Sequence, residues 1–395
     1  MLAGTFERVL RLIGNALETM LDCLEENIPV KDLARIAEVD VRTMRRYLYE
    51  GVEPGFCKLY KISRSLFKDD VQLIDWAYKL ELPENIKAAM EYLSLNKNLD
   101  VLNDYIKVKV DTSTNKNLKR WGALYGMISS YEAGEIKNKE MLDKVRKVST
   151  NDSEMKLLLN LVEANVCYRI LSTSAAYLHT MSRICDEIEQ DVYNLKDCFF
   201  RMSFEVRLND LLGKRFLYVL ADVEKAREHA TKNISQDICA IFKANSYYLL
   251  GTSFTFESYE LSVLNTKQAI DVYREANYEG FADELERWFL PFLDAHHGVK
   301  VTEGVPVVIA HYEAKWGDKG KALEIIEKEV SEAEEAMYYF YYKGLATNDS
   351  DMLFKSLSQF LKVGDLFFAQ LPLEQLRKSE TLKSVAEAVY GQFAK

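Results

Sequence analysis

Proline and glycine are scarce, at 6 and 17 of 395 residues. So few helix breakers in so long a chain imply long helices with short connections, and the length allows two or three domains. No apolar run reaches the roughly 18 residues that a membrane-spanning helix needs. The N-terminus carries Glu7 and Arg8 without the unbroken apolar stretch of a secretory leader, so a cytoplasmic location is expected. The six cysteines, Cys23, Cys57, Cys167, Cys185, Cys198 and Cys239, form no C-x-x-C pair. Zinc ribbons and dithiol motifs need such pairs, and the expectation is free, buried thiols in a reducing compartment. The five histidines fall in no metal-ligand spacing, and His296-His297 beside Gly298 reads as a helix end. Phosphate-loop, dinucleotide and nucleophile-elbow signatures are all missing. Nothing supports an enzyme, a metal site or a cofactor.

Charge is short on the positive side, with a net of −10, but it is unevenly spread. Residues 30–68 hold nine Lys/Arg against five Asp/Glu, a local +4 that leaves −14 for the rest. A small basic module on an acidic body suits DNA binding, because phosphate neutralisation is local. Within 5–24, Val9, Leu10, Ile13, Leu17, Met20, Leu21 and Leu24 form a helical stripe. Pro29 and Val30 then open a helix to about Ala37, with Ala34 and Ala37 small enough for close crossing. Glu38-Val39-Asp40 makes a turn, at a position where many such turns have Gly, and Asp40 is placed to cap the next helix. That helix, Val41 to Tyr49, turns Met44 and Leu48 inward, with Val39 from the turn, and Arg42, Thr43, Arg45 and Arg46 outward. The pattern is a helix-turn-helix whose second helix enters the major groove. Arg pairs bidentately with guanine, and Thr can touch a base edge. Arg35, Lys58, Lys61 and Arg64 are of the type that holds phosphates.

The remainder is helical in pattern, broken by polar loops at 111–115 and 149–153. Degenerate repeats are visible. Tyr247, Leu250, Gly251 and Phe254 match the opening of the tetratricopeptide pattern, as do Phe340, Gly344 and Ser356 in part. Lys321-Ala322 and Lys355-Ser356 lie 34 apart. Segment 222–230 reads as the second helix of such a pair. The expected fold is all-α: a helix-turn-helix domain over 1–68, then a repeat superhelix over 69–370 whose concave face suits a peptide. A C-terminal segment over 371–395 caps it or dimerises.

Five strings in the C-terminal half resemble a known family. They are Phe204-Glu-Val-Arg-Leu-Asn209, Glu224-Lys-Ala-Arg-Glu-His-Ala230 and Leu250-Gly-Thr-Ser253, then Tyr338-Tyr-Phe-Tyr-Tyr-Lys-Gly-Leu345 and Gly364-Asp-Leu-Phe-Phe-Ala-Gln-Leu-Pro372. With a helix-turn-helix in front, the plan resembles the peptide-pheromone receptors of Gram-positive bacteria, and within them the arbitrium receptor (AimR) family of Bacillus temperate phages. The resemblance implies a homodimer that binds operator double-stranded DNA in the host cytoplasm and takes part in the lysis–lysogeny decision. It also implies control by a short signalling peptide, a hexapeptide, held in the superhelix groove. By motif, Asn209 would hold the peptide backbone, an amide being able to donate and accept at once. Thr252 and Asn245 would add polar contacts, Asp365 would face a basic side chain, and Tyr168 is an aromatic candidate. The family's carboxylate-binding arginine has no counterpart before Asn245, where Lys243 is the nearest cation. Val307-Val308 stand where the family often has polar residues.

Two other readings compete. In a Rap-like protein the front bundle would bind a response regulator, with the outward arginines meeting an acidic partner. In a bare scaffold no short peptide would bind.

Overall fold

The computed structural model describes residues 28–67, 70–170, 175–302, 304–329 and 336–393. The stripe at 5–24 lies outside them. Every regular element described is helical. The helices in chain order are α1 (Val30–Ile36), α2 (Val41–Tyr49), α3 (Phe56–Leu66), α4 (Val71–Ala77), α5 (Pro83–Leu95), α6 (Leu99–Tyr105) and α7 (Lys116–Glu132). There follow α8 (Asn138–Lys147), α9 (Ser153–Arg169), α10 (Ala175–Tyr193), α11 (Cys198–Lys214), α12 (Val223–Gln236), α13 (Ala240–Ser253) and α14 (Tyr259–Glu275). The series ends with α15 (Glu279–Glu284), α16 (Leu290–His297), α17 (Pro306–Trp316), α18 (Lys319–Glu329), α19 (Ala336–Thr347), α20 (Ser350–Val363), α21 (Gln370–Leu376) and α22 (Glu380–Gly391). Wider π-helical turns at Ile106–Asp111, Arg215–Val219 and Leu285–Phe289 extend α6, α11 and α15.

The polar loops become caps. Asn115 accepts the N–H groups of Asn117 and Leu118 to start α7, and Asp152 accepts that of Met155 to start α9. Asp222 and Ser258 do the same for α12 and α14. Each cap satisfies donors that a helix start leaves unpaired.

Two compact units result. The first comprises the described residues up to Lys137 together with Leu195–Ser203. Its core includes Leu33, Ala34, Ala37, Met44 and Leu48 from α1, the turn and α2, all nearly inaccessible. An aromatic group joins α3, α5 and the start of α11: Phe56 meets Phe199 edge-on at 4.8 Å, with Tyr60 and Tyr92 beside them. The buried Glu91 carboxylate accepts the hydroxyls of Ser203 and Tyr125. Within this unit Cys57 and Cys198 form a disulfide, which corrects the expectation of free thiols throughout. The ring contact of Phe56 with Phe199 brings the two neighbouring cysteines to a Cα separation of 6.2 Å, although 141 residues part them in sequence. Cys167 and Cys185 are buried and free, and Cys239 is buried.

The second unit comprises Asn138–Asn194 and Phe204–Lys395 and is built of stacked helix pairs. The glycines of the repeat pattern sit where helices cross. A Cβ on Gly251 would stand 2.5 Å from Thr266 Oγ1 and 3.0 Å from the Ser262 carbonyl, so α13 and α14 approach through hydrogen alone. A Cβ on Gly344 would stand 2.9 Å from the Leu353 side chain. Serines near both crossings add hydrogen bonds. Ser262 Oγ donates to the Gly251 carbonyl at 2.6 Å, and Ser356 Oγ to that of Met337 at 2.7 Å. Ala322, one repeat length before Ser356, is fully buried. Segment 371–392 holds most of α21 and all of α22: Leu371, Leu373 and Leu376 of α21 are buried, whereas Val385 of α22 is 52% exposed.

Candidate DNA-reading helix and ligand cavity

The turn between α1 and α2 is held without glycine. Glu38 adopts a φ of 53°, a left-handed conformation that costs a non-glycine residue about 1 kcal/mol. Its carboxylate pairs with Lys61 of α3, which holds it below the usual carboxylate range. Asp40 caps α2 twice over, accepting the Thr43 N–H at 2.9 Å and the Thr43 hydroxyl at 2.6 Å. The Thr43 side chain is therefore engaged in the cap. Arg42, Arg45 and Arg46 are exposed on one side of α2. Arg46 lies 3.5 Å from Glu50. Among the described residues no carboxylate pairs with Arg42 or Arg45. Arg35 is exposed beside Asp32, Lys58 is half-buried, Lys61 holds Glu38, and Arg64 is 4.0 Å from Asp70.

The second unit contains a cavity of about 200 Å³. Tyr248, Trp288, Phe289, Phe292, Tyr338, Tyr342 and Phe368 form most of its wall, with Leu285, Val307 and Val308. Among the described residues, Glu284 is the one charged member of the lining. The π-helical turn Leu285–Phe289 delivers three wall residues, and such widened turns often occur at functional sites. Phe368 is held from behind. Asp365 Oδ1 accepts the Phe368 N–H at 2.9 Å, and the Leu366 N–H donates to the Tyr218 carbonyl at 2.7 Å, in the π-helical turn after α11. Tyr218 stacks on Phe368 at 6.3 Å and also meets Tyr168. Burial pushes the Asp365 carboxyl up to about 7 and the Tyr248 phenol up to about 12.

The expected peptide residues divide. Tyr168 and Asp365 join the aromatic group behind the cavity, Tyr168 carrying the Lys214 ammonium 4.8 Å from its ring centroid. Thr252 is inaccessible and donates to the Tyr248 carbonyl at 2.9 Å, one turn back on the helix that supplies a wall residue. Asn245 accepts the Tyr273 hydroxyl. Asn209 is buried, its Oδ1 2.8 Å from His229 Nδ1. Burial lowers His229 to about 4, so the ring is neutral. Lys243 pairs with Asp237 at 3.1 Å. None of these six lines the cavity itself.

A family model described as AimR transcriptional regulator-like matches residues 71–378. The chain belongs to that family. It is 26% identical to the AimR transcriptional regulator of Bacillus phage phi3T over 334 residues, 81% of this chain and 85% of the relative. Against the AimR transcriptional regulator of Bacillus phage SPbeta the identity is 22%, over 82% and 84% of the two chains. Among solved structures, selenomethionyl phAimR superposes with a TM-score of 0.69 at 21% identity, covering 97% of this chain and all of the other. Ligand-bound phAimR gives 0.65 at 22% identity, covering 82% and 98%. The family is one of transcriptional regulators, and these likenesses fix an all-α AimR fold.

Within this AimR-family chain the cavity adds residues that the motif reading missed: Glu284, Trp288, Phe289 and Phe292. The signal was available in Glu284-Leu-Glu-Arg-Trp-Phe-Leu-Pro-Phe292, an acid followed by a dense aromatic run. Val307 and Val308, noted as departures from the family, stand in the cavity wall. Arg227, in one of the resembling strings, is committed elsewhere. It stacks 3.7 Å from the Phe254 ring centroid and donates to the Ser253 carbonyl, to Glu224 and to Glu257.

Proposed function

We propose that the chain is a peptide-regulated, DNA-binding transcription factor of the arbitrium type, acting as a homodimer in the bacterial cytoplasm and influencing a phage's choice between lysis and lysogeny. Residues 1–68 read operator DNA, 69–370 sense a short peptide, and 371–395 cap the repeats and contribute to dimerisation through exposed Val385 and Phe393. Arg42, Arg45 and Arg46 are the base and phosphate readers, Thr43 shapes the helix start, and Arg35, Lys58, Lys61 and Arg64 flank them. Arginine on the exposed face of a capped recognition helix can meet guanine edges and phosphates alike.

The observation that carries the sensing role is the aromatic cavity with one carboxylate at its wall. Its volume fits a side chain or two rather than a whole peptide. The rings offer faces to a cation and aliphatic contact to its stem, while Glu284 supplies the counter-charge. Asn209, Asn245, Thr252, Lys243, Tyr168 and Asp365 then support the walls or contact the rest of the peptide after rearrangement. A ligand shifts the DNA-binding equilibrium only by its differential affinity for two states.

Two measurements test the reading. In band shifts with DNA flanking its own gene, Arg42→Ala with Arg46→Ala should weaken binding at least tenfold and flatten its salt dependence. Unchanged affinity would remove the recognition-helix assignment, and a stable response-regulator complex without DNA binding would favour the Rap-like reading. In calorimetry, the last six residues encoded by the short reading frame beside the gene should bind, and Glu284→Gln should weaken that binding tenfold or more. Equal affinity of the variant would sink the cation role of the cavity.

A further inference from the structure

We propose that Cys57 and Cys198 are a reversible thiol–disulfide switch, driven by low-molecular-weight disulfides, that sets how firmly the helix-turn-helix is held in its unit. The pair is built for exchange rather than for permanent stapling. Both sulfurs lie in the first turn of a helix, Cys57 as the second residue of α3 and Cys198 as the first of α11. Backbone N–H groups at a helix start stabilise negative charge, and the thiolate is the species that exchanges. Lys58 and Lys196 flank the pair in sequence, while Asp197, which accepts the Phe199 and Phe200 N–H groups, carries the opposing charge.

Access is unequal. Cys57 is buried and Cys198 is half-buried, so Cys198 is the residue a small disulfide reaches first. Its thiolate attacks a disulfide RSSR, forming a mixed disulfide and releasing one thiol RSH after protonation. The Cys57 thiolate then attacks the mixed disulfide at the Cys198 sulfur and releases the second RSH. Two thiols of the protein are oxidised, RSSR is reduced to two RSH, and the two protein protons leave on the products.

Contacts other than the bond also join these helices. Phe56 against Phe199, Tyr60 and Tyr92 beside them, and Ser203 on Glu91 hold α3, α5 and α11 together. Both redox forms are therefore expected to fold, and the bond adds a covalent tether to α3. That helix is the one on which the DNA-reading pair rests: it packs on α1, and its Lys61 pins Glu38 in the turn before α2. The other described cysteines differ. Cys167 and Cys185 are free, and burial pushes their thiols up to about 11 and about 12.

The full-length protein is equilibrated in reduced and oxidised glutathione over a wide span of ratios, quenched by alkylation and mapped by mass spectrometry. A Cys57–Cys198 cross-linked peptide should rise and fall reversibly with the ratio. Amide exchange across residues 30–66 should slow at least threefold in the oxidised form, and Cys57→Ser and Cys198→Ser should each abolish that difference while keeping a helical spectrum. Alkylation of both thiols at every ratio overturns the switch, as does a bond that survives the most reducing buffer. Equal exchange in the two forms, or a redox difference that persists in either serine variant, also overturns it.

Discussion

Asp365→Asn separates one titration from the rest of the molecule. Burial holds the folded carboxyl at about 7, against about 3.9 in an unfolded chain. Because the folded value is the higher, the protonated form favours the fold. That contribution is complete below about pH 3.9 and is lost as pH rises through about 7. Between about pH 6 and pH 8 the unfolded carboxyl is ionised throughout, while the folded one gives up most of its proton. The linkage integral over that interval removes about 1.4 kcal/mol of stability from the wild type. Asparagine cannot titrate, yet its Oδ1 can still accept the Phe368 N–H that Asp365 accepts at 2.9 Å. Histidines titrate equally in both proteins and cancel in the difference. The melting temperature of the wild type relative to the variant should therefore fall by about 3–6 °C from pH 6 to pH 8, at about 2–4 °C per kcal/mol for a unit of this size. Parallel pH profiles for the two proteins would refute the buried-carboxyl argument. A cationic ligand reaching the group behind Phe368 should expel the Asp365 proton, seen as buffer-dependent heat near pH 6.

Three further outcomes are expected. Gly251→Ala should destabilise by about 1–2 kcal/mol, because the methyl meets the backbone of α14 at 3.0–3.1 Å and not only a side chain; a melting point equal to wild type would contradict the close crossing. Glu38→Gly relieves a left-handed φ but loses the exposed Lys61 pair, so stability should rise by about 0.5–1 kcal/mol, and a loss on chemical denaturation would show the ion pair to dominate. His311 is fully buried between Phe292 and Tyr342, and neither ring nitrogen has a hydrogen-bond partner among the described residues. Burial holds its pKa well below the usual value, so its stabilising contribution is present above about pH 6.5 and lost as pH falls; His311→Leu should flatten the acid limb of the stability curve, and an unchanged limb would place that sensitivity elsewhere.

Much of the architecture was legible because it is written in short-range signals. Asp40 three residues before Thr43, the small Ala34 and Ala37, and the Gly251 and Gly344 crossing points follow from local chemistry, and the structure puts each in its expected place. The aromatic cavity was less legible. Its wall combines residues from α13, the α15 extension, α16, α17, α19 and the turn before α21, and no spacing within one helix encodes that convergence. Asn209 illustrates the limit. An amide that resembles a peptide contact by motif finds a buried imidazole twenty residues on. The disulfide escaped for the same reason, since rings at Phe56 and Phe199, not cysteine spacing, bring its halves together.

Val307 and Val308 give the cavity a stretch of wall that discriminates by volume alone. A methylene more or less against such a surface is worth about 1–3 kcal/mol, or roughly 10- to 200-fold in selectivity. Neither valine takes part in the Asp365–Phe368 bond or in the crossings at Gly251 and Gly344. Under the proposed sensing role, altering a branch of a single aliphatic wall residue would shift which ligand side chain the cavity prefers, so related receptors could drift toward different signals on one shared scaffold.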